Sequence, residues 1–287
     1  MKIVTDSAAD LRPEEKDPSQ VTIAPLLIRF PDGEVSAEKI TPDQFYDRLR
    51  SMAPRIPTTS QPSAGDFAQI YKSLDMRGDE ILSVHISSGL SGTLQSAQVG
   101  AGMVEGGKIT PIDSMTLSGG QRFQVLAAIS AVKAGWKKAA IIERLSQIRA
   151  STEVVYTLET LEYLARGGRI GRVQALAGSL LKLKPIIKVD KADGKYSTVG
   201  KNRTLESALK TIVSYLTQAY PEKTSLWISV MHGQLVEYAD ILADMLSHNF
   251  QIAKMEILRI SPVLGVHTGP GIVGVAAVPI KLFDGLM

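Results

Sequence analysis

The chain has 287 residues, 44% of them apolar, and a formal net charge of +3. That apolar content excludes a disordered chain, and so small a charge with no basic block does not predict nucleic-acid binding. Cysteine is absent, which excludes disulfides, thiol nucleophiles and thiolate metal sites and suits a reducing cytoplasm. At roughly 100–200 residues per domain, one large or two medium domains are expected. No apolar run reaches the ~20 residues of a membrane span. The opening Met1-Lys2-Ile3-Val4-Thr5-Asp6 reads at once as a strand and lacks the shape of a signal peptide.

In chain order, residues 2–5 read as a short buried strand ahead of a polar turn at Asp6-Ser7, and 21–30 as a second apolar, β-branched run. Residues 41–52 carry helical spacing, with Phe45, Leu49 and Met52 on one side. Thr41 and Gln44 fit a capping box, and Pro42 falls at the first helical position, where its missing N–H costs nothing. A helix at 64–74, a strand at 80–86, a helix at 93–104, a strand at 108–112 and helices at 120–134 and 136–150 follow. This alternation predicts a mostly parallel α/β sheet. Beyond it come a strand at 152–157, a short helix at 158–164 and an apolar stretch with small residues at 173–183. Residues 186–189 and 196–199 read as a β-hairpin around Ala192-Asp193-Gly194. A helix at 205–219, a strand at 225–231, a helix at 236–247 and strands at 251–258 and 272–279 complete the chain. The expected architecture is two α/β domains: 1–155 with the mostly parallel sheet, and a smaller one, 156–287, with a mixed sheet.

Several chemical motifs fail on inspection. Gly102-Met103-Val104-Glu105-Gly106-Gly107-Lys108-Ile109 matches a phosphate-binding P-loop until its last position, where isoleucine stands in place of the magnesium-binding hydroxyl. It also precedes a strand, whereas a P-loop follows one. Gly269-Pro270-Gly271-Ile272-Val273-Gly274 fits the dinucleotide fingerprint, but a strand follows it where a helix is required. The histidines, His85, His232, His248 and His267, do not pair at helical spacing, so no metal site is expected. Ser91 is not in a nucleophile elbow.

Four hydroxyl- and glycine-rich segments survive: Thr58-Thr59-Ser60-Gln61-Pro62-Ser63, Ser87-Ser88-Gly89-Leu90-Ser91-Gly92-Thr93, Gly167-Gly168-Arg169-Ile170-Gly171-Arg172 and His267-Thr268-Gly269-Pro270-Gly271. The second ends a predicted parallel strand and opens a helix, where an open α/β sheet binds ligands and a helix N-terminus favours an anion. Helix capping is the plainer use of such a segment; it needs one hydroxyl, and the segment offers four. The first also precedes a helix, where a cap with a proline turn is equally good an explanation. The third sets arginines in a glycine loop read as exposed, either a solvated turn or an anchor for a partner or a phosphate. The fourth reads as a turn of close backbone approach.

In this order and spacing, together with the opening Val4-Thr5-Asp6-Ser7 and with Ile112-Asp113-Ser114, these segments resemble the DegV family of bacterial fatty-acid-binding proteins, which includes the lipid-binding subunit of fatty acid kinase. The resemblance spans the whole chain. It implies a cytoplasmic carrier without a complete active site, holding a long-chain fatty acid in a tunnel between the two domains. Thr59, Ser91 and His267 match the residues that hold the carboxylate, with Ser60, Ser88, Gly92, Thr93, Thr268 and Gly269 as the supporting loops. A separate ATP-dependent kinase subunit would phosphorylate the bound acid to an acyl phosphate for phospholipid synthesis. Arg169 and, on a weaker motif, Arg203 match its docking residues. No metal, nucleic acid or other cofactor is implied, and membrane contact would be transient. The stretch from Val173 to Leu181 is a candidate tunnel wall, although ordinary core packing explains it equally well.

Two rivals belong to other classes. A serine esterase would use Ser91 and His267 and needs a reactive serine. A self-sufficient small-molecule kinase needs a nucleotide site, for which the sequence offers no recognisable motif.

Overall fold

The computed structural model describes residues 1–74, 79–173 and 183–286. The first half runs β1 (Lys2–Asp6), β2 (Val21–Ala24), β3 (Leu27–Phe30), β4 (Gly33–Ser36), α1 (Pro42–Ser51), β5 (Thr58–Ser60), α2 (Ala64–Leu74), β6 (Ile81–His85), α3 (Thr93–Gly102), β7 (Ile109–Asp113), α4 (Ser118–Lys133) and α5 (Lys138–Ser151). Four of these strands form a parallel sheet in the order β2-β1-β6-β7. Its central strand β6 is buried at every residue, as befits a parallel strand covered on both faces. A small antiparallel sheet, β4-β3-β5, lies apart from it.

The second half runs β8 (Glu153–Leu158), α6 (Glu162–Arg166), β9 (Lys184–Val189), β10 (Tyr196–Asn202), α7 (Leu205–Ala219), β11 (Ser225–His232), α8 (Val236–Asn249), β12 (Gln251–Arg259), α9 (Pro262–Thr268) and β13 (Ile272–Pro279). Its six strands form a mixed sheet, β10-β9-β8-β13-β11-β12, antiparallel except for the β11–β12 pair. Strand β8 spans the expected boundary at 155/156 and pairs within this sheet. One apolar cluster draws on both halves, from Ile3, Phe45 and Phe123 to Tyr156, Met231 and Val278.

The Thr41 capping box is present, with Pro42 in the first turn of α1. The apolar run 21–30 is two strands rather than one. Pro25, which lacks an N–H to donate to a ladder, sits at the break, and the chain leaves the parallel sheet there to enter the small one. Thr58–Ser60, read as loop, pairs with β3. His267 and Thr268, read as a turn, close helix α9. Of the candidate wall, residues 174–181 lie outside the described residues; Val173 is fully buried.

Candidate functional site

Two short elements bring Thr59 and His267 together. Strand β5 holds Thr59 opposite Ile28 of β3. Helix α9 begins at Ser261, whose N–H donates to the buried Asp10 carboxylate at 3.0 Å, and ends at Gly269, which takes φ +71°. A β-carbon at Gly269 would fall 2.3 Å from the Tyr163 ring, so both the backbone angle and the close approach demand glycine there. His267, in the last turn of α9, places Nε2 2.8 Å from Thr59 Oγ1. Burial, and secondarily the positive charge of Arg169, hold its pKa down at about 4, so the ring is neutral at pH 7. Its Nδ1 has no hydrogen-bond partner among the described residues. That nitrogen faces Gly167, where a β-carbon would lie only 2.3 Å away.

Ser91 arrives on the turn between β6 and α3. Its hydroxyl lies 2.8 Å from Thr93 Oγ1 and accepts from the Thr93 N–H at 3.3 Å, so part of its capacity goes to starting α3. Ser87, fully buried, donates to the Gly194 carbonyl at 2.9 Å and thereby seats the β9–β10 hairpin turn on this loop. The other named positions divide. Thr93 is buried under the loop, and Thr268 donates to the Leu264 carbonyl at 3.1 Å while facing the same cavity as His267. Gly92 approaches Gln61, with room of only 3.0 Å for a β-carbon. Ser60 has a buried hydroxyl without a partner among the described residues and stands off the cavity. Ser88 is exposed, and its N–H donates to Asp113 at 3.3 Å.

Thr59, Ser91, His267, Thr268 and Arg169 line one cavity. Leu26, Ile86, Leu90 and Leu117 from the first half line it too, with Val154, Tyr156, Tyr196, Met231, Ile260 and Val263 from the second. It is narrow: the space open to the centre of a water molecule is about 50 Å³. Arg169 is half-buried rather than fully exposed: its guanidinium folds back to donate to the Gly167 carbonyl at 2.7 Å, leaving it between the cavity and an outer cleft shared with Arg172 and Lys195. Arg203 is exposed on the bend between β10 and α7 and does not line the cavity.

The arrangement is poor for serine hydrolysis. Ser91 bonds to Thr93 and His267 to Thr59, and no carboxylate among the described residues orients the imidazole. A Ser-His-Asp chain does exist elsewhere, and sequence reasoning missed it. Asp6 Oδ2 is 3.0 Å from His85 Nδ1, and His85 Nε2 is 2.7 Å from Ser83 Oγ, which meets the Tyr71 hydroxyl at 2.9 Å. Ser83 and His85 are fully buried in the middle of the parallel sheet, so no substrate reaches them, and the chain serves to satisfy buried polar groups. Only the alternation of Ser83 and His85 along one strand face signalled it; the partner Asp6 is on a neighbouring strand, invisible to local pattern.

Among the described residues no group of three or more His, Asp or Glu side chains is placed to hold a metal ion, and no helix is long and apolar enough to cross a membrane.

A family profile described as "Uncharacterised protein, DegV family" matches residues 1–280. A DegV domain-containing protein of Deinococcus radiodurans is 38% identical over 277 residues, 96% of this chain and 95% of the relative. Among solved structures, a fatty-acid-binding DegV family protein of Thermus thermophilus superposes with a TM-score of 0.90 at 31% identity, covering 97% of this chain and 99% of that one. A stearic-acid-binding protein of Eubacterium ventriosum superposes with a TM-score of 0.86 at 27% identity, covering 99% of both.

Proposed function

The chain belongs to the DegV family, and on that premise we propose that it carries a long-chain fatty acid whose carboxylate is held by Thr59, Ser91 and His267. One observation carries this reading: three residues from segments far apart in sequence line a single, otherwise largely apolar cavity. Two of the three already hydrogen-bond to each other at 2.8 Å. In this reading the cavity is the mouth and body of a lipid channel between an N-terminal domain, 1–155, and a C-terminal domain, 156–287.

The chemistry suits the ligand. Two hydroxyls and a neutral imidazole are donors without charge. They satisfy a carboxylate, and equally the carbonyl oxygen of an acyl phosphate, without the ground-state grip of a buried ammonium or guanidinium. A carboxylate held so is pulled up in pKa by desolvation and down by the donated hydrogen bonds. The acyl chain supplies the affinity: about 0.8 kcal/mol for each methylene removed from water. The fatty acids bound by the Thermus and Eubacterium proteins support the assignment to this ligand class.

The finer reading is that the bound acid is presented to a separate ATP-dependent kinase subunit for conversion to an acyl phosphate, with Arg169 and Arg203 docking the kinase. Arg169 stands between the cavity and an outer cationic cleft, which supports a role at the boundary between ligand and partner. The test is a set of variants under one binding assay. Ser91→Ala and His267→Ala should each weaken fatty acid retention roughly five- to tenfold, the worth of about 1 kcal/mol per hydrogen bond, with the fold intact. Arg203→Ala should leave retention unchanged and slow acyl phosphate formation by the kinase. Unchanged retention in both of the first two variants refutes the head-group assignment.

A further inference from the structure

We propose that Met231 closes the far end of the acyl channel and selects the length of acid that the chain retains. This rests on the reading that the carboxyl lies at Thr59, Ser91 and His267. Helix α9 gives the cavity its direction. His267 and Thr268 stand in its last turn, Val263 in its first and Ile260 just ahead of it, all lining the cavity. At 1.5 Å per residue, Val263 and His267 are separated by about 6 Å along that axis, and Ile260 stands beyond Val263.

The N-terminal end of α9 is tied to Asp10, which accepts from the Ser261 N–H at 3.0 Å and, through its other oxygen, from the Ser118 hydroxyl. Ser118, which also lines the cavity, therefore sits by the end of α9 opposite the head group, and Met231 Sδ lies 2.9 Å from its Oγ. The Ser118 hydroxyl is committed to Asp10, so this end is chemically inert toward a methyl terminus.

Behind Met231 the wall is closed by direct contact. A β-carbon on Gly119 would meet Ala276 at 2.8 Å and Met231 Sδ at 3.0 Å, so the start of α4 rests on the six-stranded sheet without a gap. On the floor beside Met231, its ladder partner across β11–β13 is Gly274, which also lines the cavity and has no side chain to obstruct it. The thioether is thus the side chain that limits how far an acyl chain can advance along this floor. Methionine is unbranched and has three rotatable side-chain bonds, so it yields to small differences in length and resists large ones.

The experiment measures competition among straight-chain saturated acids of increasing length for wild type, Met231→Val and Met231→Ala, by native mass spectrometry. Shortening the side chain should move the optimum to longer acids, progressively from Val to Ala. Each further methylene admitted should gain up to roughly fourfold in relative affinity, the equivalent of ~0.8 kcal/mol. The Val variant keeps the test decisive if the Ala variant does not fold. The same length profile in all three proteins, or a uniform loss at every length, overturns the assignment of Met231. Failure of the wild type to bind any acid overturns the carrier reading itself, and the two failures are distinct.

Discussion

At the scale of single residues, the site depends on what is missing beside His267. Gly167 leaves room for the imidazole where it stands: a methyl group there would lie 2.3 Å from Nδ1. Gly167 has φ −74°, an angle any residue adopts, so the backbone angle does not require glycine; besides the imidazole, the nearest neighbour of such a methyl is the Tyr163 carbonyl oxygen at 3.0 Å. Gly167→Ala should therefore displace the ring, break its bond to Thr59 and reduce fatty acid affinity roughly five- to tenfold, while the melting temperature changes little. Isothermal titration beside a thermal melt checks this; undiminished affinity would mean that the ring position is not what Gly167 protects. The residue types of Thr59, Ser91 and His267 stood out locally as hydroxyls or imidazole among glycines and prolines. Their convergence did not, because a contact such as Thr59 to His267, across 208 residues, leaves no local pattern; the family resemblance supplied that expectation.

At the scale of elements, α9 is the part least legible in sequence. Six of its seven residues are buried, so it lacks the alternation of polar and apolar faces that betrays a surface helix. Strand β5 is three residues long, below the length at which a period of two can be read. By contrast α2, α7 and β13 were legible to their ends, because α2 and α7 carry an amphipathic face and β13 is a β-branched run closed by proline. What holds α9 in place is Asp10, buried between Ser118 and Ser261. Burial is the main cause that raises its pKa from 3.8 to about 6, against the opposing hydrogen bonds from both serines. Because the folded-state value lies above the unfolded one, the proton on Asp10 favours the folded state below about pH 4, and that contribution is lost as pH rises through about 6. Asparagine keeps an acceptor for Ser261 and tolerates the left-handed angle, φ 48°, at this position. The stability of wild type relative to Asp10→Asn should thus fall between about pH 4 and 6, by on the order of 3 kcal/mol. His267 titrates across the same range in the opposite sense, but it is common to both proteins and drops out of the difference. A flat difference in urea denaturation across that range would show that Asp10 is not titrating where its burial places it.

At the scale of the whole molecule, the two halves are joined by polar contacts as well as by apolar ones. Arg122 of α4 is fully buried and pairs with Glu15 in the first half and Glu256 of β12 in the second, while the hairpin turn at Gly194 sits on Ser87. These ties fix the walls of a cavity to which both halves contribute side chains, and none of them was legible in advance, since each joins groups far apart in the chain. The alternation of strands and helices in the first half, and the hairpin in the second, did disclose a parallel sheet and a mixed one. The most direct measurement is mass spectrometry of small molecules released from the purified protein on denaturation. A single long-chain fatty acid per chain is the predicted result, reduced in a Ser91→Ala and His267→Ala double variant that still folds. Protein that releases no lipid and takes up none when offered it would contradict the assignment.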